Sequence, residues 1–178
     1  MIRIINFVFI IFFLLLVKAY SLIEIDITRG NLDPLPIAVS PLFQDDNSKR
    51  NSINELKIEN IGSEISLVVE NNLKISGLFN PLSKEAFLQK PDIAHLKPRF
   101  EDWALIKAQA LITGKVTIED KKLKVEFRLW DILAGREMMA LAFTTVPSNW
   151  RRVGHIISDK VYERLTGEKG YFDTRIIY

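Results

Sequence analysis

The chain has 178 residues, of which 48% are hydrophobic and 26% are charged, the composition of one globular domain of ordinary size. It has no cysteine, which excludes thiol catalysis, cysteine zinc sites and cysteine-held iron–sulfur clusters. The formal net charge of +2 is far from the strongly basic balance that marks a nucleic-acid-binding protein.

Residues 1–21 have the pattern of a secretory signal peptide. Arg3 precedes an apolar run from Ile4 to Val17, and residues 19–21 form a small-x-small triplet. These features are typical of a cleaved signal, so we expect export and cleavage after Ser21. The alternative is an uncleaved anchor helix, but the run is shorter than the roughly 20 apolar residues that cross a bilayer.

Removal of the signal changes the charge balance. Residues 1–21 contain Arg3 and Lys18 and no acid, so the remainder has 22 basic and 22 acidic residues and a net charge of zero. A neutral domain lacks both the footprint of a nucleic-acid binder and the polybasic character that holds proteins on anionic lipid. We therefore expect no nucleic-acid partner and no stable membrane insertion after cleavage.

The segment after the signal, Leu22 to Thr28, has the pattern of a strand. Isoleucines at 23, 25 and 27 alternate with Glu24, Asp26 and Thr28, and this period of two predicts one apolar face. A strand at a free terminus can dock on its own domain or add to the edge of a partner's sheet. The pattern alone leaves both alternatives open.

Between residues 29 and 107 the pattern is mixed. After a turn at 29–34 we expect a buried strand at Ile37–Val39 and a solvated polar loop at Gln44–Asn54. An amphipathic helix is expected at Ile61–Phe79, followed by a short second helix at Ser83–Gln89. Asn60 is the expected N-cap of the long helix and Ser83 that of the short one. His95 lies in a proline-flanked stretch and is expected to be exposed.

From residue 108 the pattern changes to strands and a closing helix. Three antiparallel strands are expected at Ala110–Ile118, Leu123–Leu129 and Met139–Val146, with turns at 119–121 and 131–135. Ser148 is the expected N-cap of the last helix, and Gly167 ends it at C′. The sequence predicts an α/β (α+β) fold: a small mixed β-sheet with a three-stranded antiparallel meander and helices packed on one face.

Catalytic chemistry has little support in the sequence. His155 and Asp159 stand four residues apart on one predicted helix face, which leaves an exported enzyme or ligand-binding subunit as an alternative function. No serine nucleophile motif accompanies them, and Lys115 is followed by Val116 where a P-loop needs Ser or Thr. We assign no catalytic residue, no metal site and no cofactor.

The order of motifs resembles the amino-terminal domain of the TolB family of the Tol–Pal envelope system. The segments that carry the resemblance are Glu24–Ile27, Pro36–Val39, Ile61–Pro81, Ala110–Val116, Val125–Asp131, Leu165–Gly170 and Phe172–Ile176. The resemblance covers residues 22–178, and its closing string is the most specific part. TolB proteins continue from there into a six-bladed β-propeller, which this sequence does not contain.

The resemblance implies a domain organisation and a role. Residues 1–21 would be the signal, 22–167 the TolB-like α/β domain, and 168–178 a truncated linker toward the missing propeller. The implied role is a non-enzymatic periplasmic scaffold that supports outer-membrane integrity and envelope constriction during cell division. Its partners would be the TolA carboxy-terminal domain and, mainly through the propeller, the lipoprotein Pal. The TolA-binding residues carried over from the family are Leu22, Ile23, Glu24, Ile25, Asp26 and Ile27.

Overall fold

A six-stranded mixed sheet organises residues 33–174, the part of the chain that the computed structural model describes. The strands are β1 (Leu35–Val39), β2 (Phe43–Gln44), β3 (Phe79–Pro81), β4 (Ala110–Glu119), β5 (Lys122–Asp131) and β6 (Arg136–Thr145). The α-helices are α1 (Asp46–Leu56), α2 (Ile61–Ile75), α3 (Pro91–Ala94), α4 (Phe100–Leu105) and α5 (Trp150–Thr166). The predicted signal and the predicted strand at 22–28 lie outside the described residues.

The strand order is β3-β1-β4-β5-β6, with the short β2 pairing β4 beyond the end of β1. β1 runs parallel to β3 and to β4, whereas β4, β5 and β6 form the predicted antiparallel meander. At the first meander turn Asp120 and Lys121 both have positive φ, 49° and 57°, which a two-residue type I′ hairpin requires. The fold class predicted from the sequence is therefore confirmed.

The main core lies between one face of the sheet and the helices α2 and α5. The alternating apolar residues of β5 all point into it, and Phe127 is only 1% exposed. Its ring stacks against Phe143 of β6 with the centroids 6.1 Å apart. The two helices pack closely, since a methyl group added at Gly154 would lie 2.8 Å from Val68. The apolar faces of the strands and the apolar stripes of the helices thus pack together in one core layer.

The opposite face is covered only in part, by the short helices α3 and α4. A second apolar cluster there centres on Trp103 and Trp130. Each buried indole has a hydrogen-bond acceptor: Trp103 donates to Gln89 Oε1 at 3.1 Å, and Trp130 donates to Thr113 Oγ1 at 2.8 Å. The rest of this face, over the meander, is the open face of the sheet.

The predicted polar loop at 44–54 is wrong, because this stretch contains the end of β2 and most of α1. Asp45 caps the helix and accepts a hydrogen bond from the Ser48 backbone at 2.8 Å. Ser48 and Ser52 are buried, and they bond Ile118 N and Ile58 O at 3.2 and 2.6 Å. The helix buries small polar residues that satisfy backbone groups, so it lacks the apolar stripe that periodicity detects.

Helix ends were predicted with mixed success. Asn60 does cap α2, accepting from Ser63 N at 3.0 Å, and Gly167 does end α5 with a φ of 76°. Phe79 belongs to β3 and not to the preceding helix, because Gly77, with a φ of 75°, turns the chain after α2. Ser148 is no N-cap, since it lies inside a 3-10 turn ahead of α5.

The stretch from 83 to 95 also differs from its prediction. Ser83 forms no capping hydrogen bond, and only the three residues Lys84–Ala86 are helical, as a 3-10 turn. His95 is half-buried at the end of α3, where its ring stacks on Phe43 with the centroids 4.5 Å apart. The local sequence gave no sign of that contact, which joins segments distant in the chain.

Candidate functional site

The residues predicted to bind a partner, Leu22 to Ile27, lie outside the described residues. What the structure describes is the domain from which they emerge, beginning at Asp33 just ahead of β1. β1, where the described sheet begins along the chain, is an inner strand that lies next to the edge strand β3. The surfaces within reach of that point are therefore the candidate sites.

His155 and Asp159 do not form a catalytic pair, although they lie on one helix. The amide of Asn72 lies 2.9 Å from His155 Nδ1 and also donates to Ser158 Oγ at 3.0 Å. An amide NH₂ can only donate, so this contact makes Nδ1 an acceptor and ties α2 to α5. The side chain of Asp159 accepts hydrogen bonds from the backbone of Phe172 and Asp173, so the two residues have different partners.

Asp159 holds the segment that follows α5. Its two carboxylate oxygens accept hydrogen bonds from the backbone of Phe172 at 2.7 Å and of Asp173 at 3.1 Å. Asp173 in turn forms a bidentate pair with Arg152, with N–O distances of 3.1 and 3.2 Å. This pairing raises the pKa of the Arg152 guanidinium. Residues 168–174, here called the strap, thus run back along α5 toward its start.

Close packing and aromatic contacts seat the strap. A methyl group added at Gly170 would lie 2.4 Å from the Asp159 Cα, so only glycine lets the backbones approach this closely. Tyr162 on α5 meets the rings of Tyr171 and Phe172 edge-on at 5.5 and 5.9 Å. Burial raises the pKa of the Tyr162 hydroxyl. Residues 170–173 of the predicted linker region therefore pack against α5.

The open face of the meander forms a shallow groove of about 460 Å³. Its lining includes the small residues Gly114 of β4 and Ala140 and Ala142 of β6, with β5 between the two strands. Charged side chains on β5 stand along it, and Arg128 donates to His95 O at 3.0 Å and pairs with Glu137 at 3.2 Å. Residues 33–174 bring together no group of His, Asp and Glu that could hold a metal ion.

The outer edge of β6 is the other accessible surface. Within the described sheet β6 pairs only with β5, and its ten residues form one long edge. From Met138 to Val146 the sequence has neither a charge nor a proline. Natural edge strands are protected by charges, prolines, bulges or covering segments. The one irregularity in the β5–β6 pairing is a register shift at Leu129/Trp130 of β5, which lies opposite the start of β6. Leu141, at the middle of the edge, is 37% exposed.

The fold is that of an α/β domain, and no catalytic centre is assigned among residues 33–174. The sequence model of the TolB amino-terminal domain matches residues 23–138. The chain belongs to the TolB family and corresponds to its amino-terminal domain. Among the residues that the structure describes, no helix is long and apolar enough to cross a membrane.

Individual relatives agree with this assignment. The chain is 75% identical over 173 residues to the Tol-Pal system protein TolB of Pelagibacter ubique (strain HTCC1062), which covers 97% of this chain and 39% of that protein. The crystal structure of TolB from Acinetobacter baumannii matches with a TM-score of 0.62 at 22% identity, over 79% of this chain and 30% of that one. The second likeness shows the fold alone. The chain thus spans well under half the length of both relatives.

Proposed function

We propose that the chain is a non-enzymatic interaction module of the Tol–Pal system, acting in the periplasm and binding the TolA carboxy-terminal domain through residues 22–27. The observation that carries this proposal is the 75% identity to a Tol-Pal system protein across 97% of the chain. Its role would be to support outer-membrane integrity and envelope constriction at division. Pal binding is assigned by the resemblance mainly to a propeller, so we propose no Pal site among residues 33–174.

The binding mode we propose is strand addition. Main-chain hydrogen bonds to a sheet edge supply affinity, and alternate side chains supply specificity. The isoleucines at 23, 25 and 27 offer one apolar face and the intervening Glu24 and Asp26 one acidic face.

A matched pair of variants tests the mode. Ile25→Asp places a charge on the apolar face, whereas Glu24→Ala changes only the acidic face. In calorimetric titrations with the TolA carboxy-terminal domain, Ile25→Asp is expected to weaken binding at least tenfold more than Glu24→Ala. Equal losses in both variants would contradict strand addition with the isoleucine face inward.

We favour this function over the alternative of an exported enzyme that uses His155 and Asp159. Both carboxylate oxygens of Asp159 accept hydrogen bonds from the strap backbone, and His155 Nδ1 lies beside the Asn72 amide.

A further inference from the structure

We propose that the strap, residues 168–174, is a latch that opens without unfolding the domain and so sets where the chain beyond Thr174 leaves it. When the strap is closed, the chain leaves beside Arg152, near the start of α5. When it is open, the chain leaves from Gly167, at the other end of the same helix.

Side chains of α5, and no main-chain ladder, hold the strap. Within the described residues no main-chain hydrogen bond joins the strap to another residue. Phe172 N and Asp173 N donate to the carboxylate of Asp159, and Glu168 N donates to Thr166 Oγ1 at 3.1 Å. A strand or a helix is held by a continuous ladder, whereas a segment that is held by separate side chains can detach as a unit.

Little of the strap is buried. None of its seven residues is fully buried, and Tyr171 is 49% exposed. Phe172 is half-buried, with its ring edge-on to Tyr162 at 5.9 Å. Segments that bury few apolar groups open locally at a much lower free energy than the whole domain needs to unfold.

Opening of the strap leaves the main core in place. The inner side of α5 carries Val153, Ile157 and Val161, each at most 3% exposed, and these side chains pack in the core without the strap. Phe172 only borders this core, as a partly buried ring. Release of the strap therefore removes no fully buried side chain from the domain.

The two exit points lie far apart. Gly167, with a φ of 76°, ends α5 and lets the strap run back along the helix toward Arg152. Fourteen residue steps of α5 separate Arg152 from Thr166, a distance of about 21 Å at about 1.5 Å per residue. An open strap can in addition extend up to about 25 Å from Gly167. Opening therefore moves the exit of the chain by a distance comparable to the length of the helix.

Gly170→Ala opens the latch without changing its anchors. The added methyl group would lie 2.4 Å from the Cα of Asp159, a backbone atom of α5 that cannot turn aside as a side chain can. The closed position is therefore strongly disfavoured, while the charged groups of Asp159 and Arg152 stay as they are. Lys169→Ala is the matched control, because it changes the neighbouring, exposed residue of the strap.

Native-state amide exchange measures the opening, since Phe172 and Asp173 donate the amides that the closed latch protects. In the wild-type chain these two amides should be protected at least about tenfold less than the amides at the centre of β5, because the strap opens more often than the domain unfolds. Gly170→Ala should lower their protection by a further factor of about ten or more and leave β5 unchanged. Lys169→Ala should change neither.

Two results of the exchange experiment would overturn the latch. Equal protection of the strap and of β5 in the wild-type chain would show that the strap opens only when the whole domain unfolds. Equal effects of Gly170→Ala and Lys169→Ala on the strap amides would show that close packing at Gly170 does not hold the strap closed.

Spin labels follow the exit itself, because the chain has no cysteine of its own. Ser148→Cys and Thr174→Cys place labels at two exposed positions, one just before α5 and one at the end of the strap. Pulsed EPR is expected to give one short, narrow distance in the labelled chain and a longer, broader population when Gly170→Ala is added. Lys169→Ala is expected to keep the short distance. A distribution that Gly170→Ala leaves unchanged would overturn the proposal even if amide exchange became faster, because the exit would not have moved.

Discussion

Replacing Asp159 by Asn is a sensitive test of how the strap is held. The side chain keeps its size and position on α5, but one of the two acceptor oxygens becomes an NH₂ group. In the wild-type chain the two carboxylate oxygens accept hydrogen bonds from Phe172 N at 2.7 Å and from Asp173 N at 3.1 Å. The new NH₂ group would face one of these two backbone N–H groups, and two donors cannot form a hydrogen bond. One hydrogen bond is lost, and the other loses its charge assistance.

The magnitude follows from these two bonds. A hydrogen bond to a charged group contributes about 1.5–3 kcal/mol net, toward the low end where water has access, as it has beside the half-buried strap. We therefore expect Asp159→Asn to destabilise the closed strap by about 1.5–3 kcal/mol. Since about 1.4 kcal/mol is a factor of ten, strap opening increases roughly tenfold to a hundredfold.

Native-state hydrogen exchange measures this directly, because the two amides in question are the donors. Exchange of Phe172 and Asp173 should accelerate by that factor, while exchange in the middle of β5 stays unchanged. Glu163→Gln is the matched control: it lies on the same helix, is half-exposed, and pairs only with Lys160 on the surface. Exchange at Phe172 and Asp173 that is the same in both variants would refute the account of the strap.

Three further predictions concern the core, a helix cap and processing. Phe127→Ala, at a 1% exposed site, should lower the free energy of unfolding by about 3–5 kcal/mol in urea melts, and Arg128→Ala on the opposite face by under about 1; equal losses would mean the strand register is wrong. Asp45→Ala should cost about 1 kcal/mol at pH 7. The backbone hydrogen bond from Ser48 lowers the pKa of Asp45 below 3.8. The contribution of the cap is therefore present above pH 3.8 and is lost as the pH falls through the lowered pKa; a difference between the two proteins that does not shrink as the pH falls would contradict the cap. Mass spectrometry of exported chain should find Leu22 first, and an intact leader on that material would contradict the signal.

The meander was predictable because its strands are half-exposed. In β5 the apolar residues alternate with charged ones, and this period of two indicates a half-buried β-strand. The helices α2 and α5 were predictable from their apolar stripes. The helix α1 was not, because its buried positions are Ser48 and Ser52, which bond the backbone of Ile118 and of Ile58. Burial of small polar residues leaves no mark in a hydrophobic pattern.

The strap was missed for a different reason. Asp159 contacts backbone amides 13 and 14 residues away, and no local pattern encodes such a contact. The sequence offered the i, i+4 spacing to His155 instead, which pointed to a dyad that the structure does not form. The one usable signal was Gly170 between charged and aromatic residues, since a glycine at that place indicates a close backbone approach.

The proposed binding of TolA is tested most directly by one calorimetric titration. The TolA carboxy-terminal domain is titrated into the full chain and into the chain lacking residues 22–27, with circular dichroism of both. The account predicts that the deletion abolishes binding and leaves the helical signal intact, because a terminal segment contributes little to stability unless it is docked. Undiminished binding by a folded deletion variant would contradict it, and global unfolding would show that the segment is a structural strand of the domain.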